Sequence, residues 1–140
     1  SLQINAQSRT VDLHLAAPKA PIYIKGNKSL LEELLYNLCD NAIRYNKPQG
    51  SVTVTLRPEQ GGTALQVADT GIGIPKDSQK KIFERFYKTD LSRGKDKKGT
   101  GLGLAIVKEI IQAHGENIDV VSTEGVGTEF IFSLPKATAL

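Results

Sequence analysis

Two asparagines four residues apart, Asn37 and Asn41, are the first residues in the chain whose types and spacing could do chemistry. Successive helical residues advance about 100°, so Asn41 and Arg44 fall within roughly 40° of the direction of Asn37. An amide oxygen is a hard ligand that suits Mg²⁺, which keeps several waters and bridges substrate phosphates. A guanidinium one turn further on can bind a phosphate oxygen. A merely solvated polar face has the same pattern, so this helix alone leaves both interpretations open.

A carboxylate at the end of a predicted strand is the centre of the second group, V-A-D-T-G-I-G-I-P, from Val67 to Pro75. Asp69 can accept a hydrogen bond from an exocyclic amine, the group that distinguishes adenine from guanine. Gly71 and Gly73 carry no Cβ, so the backbone can approach a flat ring closely. An ordinary Asp-Thr-Gly turn has the same residues, so this motif indicates a purine site only in combination with others.

A segment that is both aromatic and basic, K-I-F-E-R-F-Y-K, runs from Lys81 to Lys88. Phe83 and Phe86 lie one helical turn apart, a spacing that usually packs a core or fixes a loop. Arg85 and Lys88 flank them within residues 76–98, where Lys and Arg outnumber Asp and Glu. A local basic stretch in a domain of net charge +3 suits a small, multiply charged anion. A solvated loop is the alternative interpretation.

Alternate glycines open the last predicted helix in the run G-T-G-L-G-L-A-I-V, from Gly99 to Val107. The free N–H groups and the positive end of the helix dipole make such a start an anion site. The run is not a Walker A loop, which requires G-x-x-x-x-G-K-[ST], nor the dinucleotide-binding pattern. Its position after the other three groups strengthens the prediction of a phosphate site.

The bulk composition is that of one globular domain. The chain has 140 residues, of which 39% are hydrophobic and 24% charged, and its net charge is too small to indicate nucleic acid. A single cysteine, Cys39, excludes an internal disulfide and indicates a reducing compartment. The sequence contains neither a signal peptide pattern nor an apolar run near the roughly 20 residues of a spanning helix. Because methionine is absent, we expect a piece of a longer protein, whose other parts could include a membrane anchor.

The hydrophobic periodicity predicts the elements that must position these groups. The predicted strands are Val11–Leu15, Ile22–Ile24, Val52–Leu56, Ala64–Ala68, Ile118–Ser122 and Glu129–Leu134. The predicted helices are Lys28–Tyr45 after an Asn27 cap, a short one from Asp77 to Phe83, and Leu102–His114 before Gly115. Residues 1–10 are a lead-in, Pro58 to Gly62 form a turn, and 87–100 form a loop. We therefore expect an α/β (α+β) two-layer sandwich, with a mixed, mostly antiparallel sheet of five or more strands and about three helices on one face.

The four groups resemble, in order, the N, G1, F and G2 boxes of sensor histidine kinases, which belong to the ATPase superfamily shared with DNA gyrase and MutL. The similarity extends from about residue 10 to 135 and includes the closing E-G-V-G-T-E-F-I-F-S-L-P segment; it is closest to phosphate-sensor-type kinases. It implies a histidine kinase catalytic domain of the GHKL type over residues 11–136, followed by a tail at 137–140. An ATP lid would occupy about 87–100.

The resemblance also implies roles for individual residues. Asn41 and Asn37 would hold Mg²⁺, and Asn37 would also assist at the triphosphate. Arg44 would lie near the terminal phosphates, Tyr45 would stack on adenine, and Asp69 would bind its amino group. The other nucleotide contacts would come from Gly71, Gly73, Ile74, Phe86, Gly99, Thr100, Gly101, Leu102 and Gly103. Either Arg85 or Lys88 would reach the γ-phosphate.

Asn37 stands where gyrase-like hydrolases carry a glutamate that activates water. An amide cannot act as a general base, so the site should hold ATP without hydrolysing it quickly. Neither His14 nor His114 resembles the family's phosphoacceptor, a histidine followed by an acidic residue on a dimerising helical hairpin. The resemblance therefore implies transfer to a histidine on a separate dimerisation domain of the same parent protein.

The remaining expectations concern partners and place. A response regulator receiver domain would receive the phosphoryl group indirectly, and no nucleic acid or direct membrane contact is expected. The isolated domain should be a monomer, located on the cytoplasmic side of a membrane sensor. The alternatives are a nucleotide-binding regulatory module without transfer activity and an anti-sigma-type serine kinase. A hydrolase of the gyrase or MutL kind is disfavoured by Asn37.

Overall fold

The computed structural model describes residues 2–23, 25–85, 87 and 103–135. Its helices are α1 (Leu2–Ser8), α2 (Lys28–Arg44) and α3 (Gly103–Ala113), with a 3-10 helix at Lys76–Ser78. Its strands are β1 (Asp12–Ala16), β2 (Ser51–Glu59), β3 (Gly62–Asp69), β4 (Ile118–Thr123) and β5 (Gly127–Pro135). They form one five-stranded sheet in the order β1-β2-β3-β5-β4, in which only the β1–β2 pair is parallel. The predicted architecture of a mixed, mostly antiparallel sheet with helices is confirmed.

A single core lies between the helices and one face of the sheet. Strand β5 alternates strictly between buried and half-buried residues, as a strand with one covered face does. Its Phe130 is completely buried together with Leu34 and Leu38 of α2 and Ile111 of α3. Burying each such side chain contributes roughly 1.5–3 kcal/mol. This packing holds α2 and α3 against the sheet, and these two helices carry much of the predicted site.

The predicted cap at the start of α2 and the predicted glycine stop after α3 are confirmed by their hydrogen bonds. Asn27 caps α2, because its Oδ1 accepts a hydrogen bond of 3.1 Å from the backbone N–H of Leu30. Gly115 has a φ of +73° after α3, and Glu116 N donates to Ile111 O there. His114 joins the two ends: its Nε2 accepts from Asn27 N at 3.1 Å, and its Nδ1 lies 2.8 Å from Ile110 O. His114 therefore has a structural role.

Two segments at the amino-terminal end differ from the prediction. Residues 1–10 were predicted to be a lead-in without regular structure, but α1 forms there and buries Ala6 completely. Its apolar face is less than two turns long, too short to show a helical period in the sequence. The predicted strand Ile22–Ile24 is wrong for Ile22 and Tyr23, and Ile24 lies outside the described residues. At this place Lys25 N donates a single hydrogen bond to Pro135 O.

Two further boundaries were wrong. Strand β2 continues to Glu59, through Pro58, which we had placed in a turn. The last residue of β2 that pairs with β1 is Thr55. Pro58 therefore lies where, within the described ranges, one side of β2 has no neighbouring strand, and a missing N–H is tolerated there. The short helix expected from Asp77 to Phe83 is reduced to the 3-10 turn at Lys76–Ser78, followed by irregular turns.

The predicted loop over residues 87–100 lies outside the described residues except for Tyr87, whose hydroxyl donates to Ser78 Oγ at 3.0 Å. Among the helices that the structure describes, none has both the length and the apolar composition needed to cross a bilayer.

Candidate nucleotide-binding site

Helix α2 connects two of the predicted motifs. At Asn37 it meets the start of α3: a Cβ added to Gly103 would lie 3.5 Å from Asn37 Oδ1. At its other end it meets the turn after β3, where the carbonyl oxygen of Tyr45 occupies the space that a Cβ on Gly71 would need. The N–H of Ile72 donates to the same carbonyl at 3.0 Å. From Asn37 to Tyr45 is about two turns, or about 12 Å along the helix axis, so α2 fixes the separation between the two motifs.

The amide face of α2 presents oxygen ligands. Asn37 Nδ2 donates to Glu33 O at 3.0 Å, which orients the side chain and leaves Oδ1 on the side of Gly103. Asn41 is partly buried one turn further on, and no hydrogen bond within the described part of the chain uses its side chain. Within the described ranges, no cluster of His, Cys, Asp or Glu could hold a metal ion. Two amide oxygens fit Mg²⁺, whose remaining ligands would be phosphate oxygens and water.

The Asp69 carboxylate lies at the other end of the site. Its Oδ1 accepts from Gly71 N at 2.9 Å and from Thr128 N at 3.2 Å, whereas no described residue donates to Oδ2. Burial raises the pKa of Asp69 from 3.8 to about 6, against the lowering effects of these two hydrogen bonds and the charge of Lys47. The carboxylate is thus fixed by one oxygen and can accept a hydrogen bond from a ligand amine with the other.

The turn that follows Asp69 is held by strands β4 and β5. Gly73 has a φ of +71°, and the carbonyl of Thr123 fills the position of a Cβ there, so only glycine fits. Ile74 N donates to Ser122 Oγ at 2.8 Å, and Gly125 N donates to Ile72 O at 2.7 Å. These contacts fix the predicted ring-binding residues Gly71, Gly73 and Ile74 before any ligand arrives.

Two of the predicted cationic residues, Arg44 and Arg85, have protein partners. Arg44 Nε lies 2.7 Å from Asp40 Oδ2 on the same helix. Arg85 NH2 lies 2.6 Å from Glu109 Oε1 of α3, and both side chains are largely exposed. An exposed pair of this kind is screened by water and contributes little to stability, so a phosphate could compete for Arg85. A phosphate contact by either arginine stays a prediction.

Phe83 has the structural role expected of it. Its ring packs edge-on against Phe130, with 6.1 Å between centroids, and Lys108 Nζ lies 5.5 Å from its centre. The other predicted contacts lie outside the described residues, and their roles stay predictions: they are Phe86, Lys88, Gly99, Thr100, Gly101 and Leu102.

Sequence reasoning missed the polar residues that support Asp69. Thr128 donates its N–H to Asp69 and shares a 2.8 Å hydroxyl contact with Ser122, which in turn holds Ile74. Asn46 and Thr70 form a second network, joined by a hydrogen bond from the Thr70 hydroxyl to Asn46 Oδ1. These partners are up to 59 residues apart in the chain, so no local pattern could reveal them. The one available signal was a polar Asn46 just after the end of α2.

The raised pKa of Asp69 predicts a pH-dependent cost to stability. Because the folded protein binds this proton more readily than the unfolded chain does, protonation of Asp69 stabilises the fold. This contribution is complete below about pH 4 and is lost as pH rises through about 6. Asp69→Asn, which stays neutral, should therefore have a free energy of unfolding about 1–3 kcal/mol higher at neutral pH and nearly equal at pH 4. Urea unfolding at several pH values measures the difference. Asp119→Asn, at an exposed position of β4, is the control; a gain that is independent of pH would contradict burial as its cause.

Comparison with known proteins identifies the family to which this chain is related. The family model of histidine kinase-, DNA gyrase B-, and HSP90-like ATPases matches residues 26–138. Sensor protein SrrB of Staphylococcus aureus (strain NCTC 8325 / PS 47) is 46% identical over 106 residues, which cover 76% of this chain and 18% of that protein. The chain thus spans about a fifth of the length of the curated relatives it matches.

Solved structures of sensor kinases have the same fold. The mycobacterial sensor histidine kinase MprB superimposes with a TM-score of 0.83 at 30% identity, covering 99% of this chain and 92% of that one. Full-length ShkA in complex with AMPPNP gives a TM-score of 0.83 at 30% identity, over 99% of this chain and 28% of that one. The chain therefore belongs to the histidine kinase-, DNA gyrase B- and HSP90-like ATPase family, as an ATPase domain of the sensor histidine kinase type.

Proposed function

We propose that this chain binds Mg-ATP and transfers the γ-phosphoryl group to a histidine on a separate dimerisation domain of the same parent protein. The observation that carries the proposal is the course of α2. Its Asn37 amide oxygen lies beside the start of α3, and its end contacts the turn that follows the Asp69 carboxylate. A nucleotide placed along this helix would have its triphosphate at Asn37 and Gly103 and its base at Asp69. The complex of ShkA with AMPPNP supports the same class of ligand.

The residues of this chain contribute binding and orientation. Asp69 and the turn after it fix the base, so that the triphosphate extends toward Gly103 and the positive end of α3. Mg²⁺ held by Asn37 and Asn41 would neutralise phosphate charge. During transfer, the lone pair of the acceptor imidazole nitrogen forms the N–P bond, while the electrons of the broken P–O bond stay on ADP. A ring proton of the acceptor leaves to solvent. Such transfer depends mainly on positioning and charge neutralisation.

The site favours transfer over hydrolysis because it offers no base for water at the position of Asn37. Its amide has no useful basicity, and its nitrogen is already a donor to Glu33 O. Bound ATP therefore stays intact until a stronger nucleophile than water attacks the γ-phosphoryl group. Arg85 or Lys88 would form an ion pair with the negatively charged γ-phosphate. For Arg85 this requires that its ion pair with Glu109 be broken.

The wider assignment follows from the relatives. Residues 11–136 are proposed as the catalytic domain, with residues 1–10 leading in from the rest of the parent. The parent is proposed to be a membrane sensor that holds this domain at the cytoplasmic face and passes the phosphoryl group on to a receiver domain. Sensor protein SrrB, which is more than five times as long as the matched part, supports this arrangement.

Transfer can be tested by mixing the chain with radiolabelled ATP and the helical hairpin of the parent protein. We expect label on the hairpin that is lost in acid and retained in base, as phosphohistidine is. A hairpin whose acceptor histidine is replaced by alanine is the control and should stay unlabelled. Rapid ATP turnover without the hairpin would indicate a hydrolase, and acid-stable label a serine kinase. Binding without any transfer would indicate a regulatory module.

A further inference from the structure

We infer that Asn46 is a positioning residue that holds Asp69 in place and thereby sets the preference of the site for a base with an exocyclic amine. The inference rests on the proposed nucleotide function. Asn46 follows the end of α2 and is only 7% exposed, one of three buried polar residues in the part of the chain that the structure describes. Buried polar groups need partners, and those of Asn46 connect three elements.

The amide of Asn46 uses both its donor and its acceptor. Nδ2 donates to Ser51 O, at the start of β2, at 2.9 Å. Oδ1 accepts from Lys47 N at 2.8 Å and from the hydroxyl of Thr70 at 3.3 Å. Thr70 in turn binds Ser51 twice: its Oγ1 accepts from Ser51 N at 2.9 Å, and its N–H donates to Ser51 O at 3.1 Å. Asn46, Ser51 and Thr70 therefore form a closed ring of hydrogen bonds.

Two glycines make room for this ring. A Cβ on Gly50 would collide with Asn46 Oδ1 and lie 2.8 Å from Thr70 Oγ1. A Cβ on Gly71 would lie 3.1 Å from Asn46 Cα. The backbone thus closes around the Asn46 side chain, which leaves little freedom for the ring to shift.

The ring acts on Asp69 through its neighbours in the chain. Thr70 follows Asp69 directly, and Gly71 N donates to Asp69 Oδ1. Thr70 is bound to Asn46, and Ile72 N is bound to Tyr45 O, so both sides of Gly71 are fastened to the end of α2. The Asp69 carboxylate therefore keeps a fixed position relative to the helix that carries the proposed metal ligands. An aspartate at position 46 would lack the donor to Ser51 O, so only an amide of this length completes the ring.

The test compares the affinities of the folded chain for ATP and for inosine triphosphate, which has a carbonyl in place of the amine. Asn46→Ala should weaken ATP binding about tenfold and inosine triphosphate binding less than about twofold, because only the amine contact depends on the position of Asp69. Asn117→Ala, at an exposed asparagine, is the matched control and should change neither affinity. Equal losses for both nucleotides, or no loss, would overturn the inference.

A second pair of variants covers the case in which Asn46→Ala does not fold. Thr70→Val removes the hydroxyl from the same ring and should lower the ratio of the two affinities in the same way, whereas Thr70→Ser keeps the hydroxyl and should restore it. A Thr70→Val ratio equal to that of the unchanged chain would overturn the inference. Asp69→Ala tests the proposed adenine site independently of Asn46. If this variant leaves the ratio of the two affinities unchanged, Asp69 does not bind the adenine amine, whatever Asn46 does.

Discussion

Replacing Asn41 by alanine should slow phosphoryl transfer at least about 100-fold and abolish the magnesium dependence of nucleotide binding. Asn41 lies partly buried on the same face of α2 as Asn37, and its side chain has no hydrogen-bond partner among the described residues. Removing one preorganised group that neutralises charge commonly costs a factor of about 10²–10³ in rate. Calorimetric titration of nucleotide at several magnesium concentrations, together with the hairpin labelling assay, measures both effects.

The control for Asn41 must show that the helix itself survives. Asn117→Ala makes the same chemical change at an exposed site and should leave binding and transfer as they were. Unfolding of the Asn41→Ala chain should stay cooperative, since no hydrogen bond of the described fold depends on this amide. Binding that still rises with magnesium would locate the metal ligands elsewhere.

Replacing Asp69 by alanine should weaken ATP binding about 10- to 100-fold. A buried ligand amine left without its acceptor costs about 1–3 kcal/mol, and each 1.4 kcal/mol is a factor of ten in affinity. The loss should be confined to the base. Inorganic triphosphate, which would occupy only the end of the site near Gly103, should bind the variant and the unchanged chain equally well.

An exposed aspartate provides the comparison for this second result. Asp119→Ala removes the same group from the outer side of β4 and should not affect nucleotide affinity. Unchanged ATP affinity in Asp69→Ala would remove this carboxylate from the adenine site. Because Asp69→Asn is also expected to stabilise the fold, a simultaneous gain of stability and loss of affinity would show that the buried charge is kept for binding.

The sequence predicted the elements whose signals are local. Helix α2 has an asparagine cap and a continuous apolar face, and β5 alternates for nine residues, so both were predicted with nearly correct bounds. The pairing of Asn37 with the start of α3 could also be anticipated, because family resemblance relates the two motifs. In each case the residues that define the feature lie close together in the chain or match a known order.

The remaining features depend on distant parts of the chain. Helix α1 buries Ala6 but is too short to show a helical period in the sequence, so it left no pattern to detect. The supports of Asp69 come from Asn46, by way of Thr70, and from Thr128. Such contacts form only when the sheet brings these positions together. Sequence reasoning could therefore name Asp69 but could not explain what holds it.

The proline in β2 has a consequence for how the molecule behaves in a crowded solution. Beyond Thr55 no described strand pairs with the β1 side of β2, and exposed strand edges of this kind attract the strands of other molecules. Pro58 has no N–H to donate to a strand of another molecule, and the exposed charges of Arg57 and Glu59 beside it oppose close strand pairing. This stretch is thus a poor template for self-association.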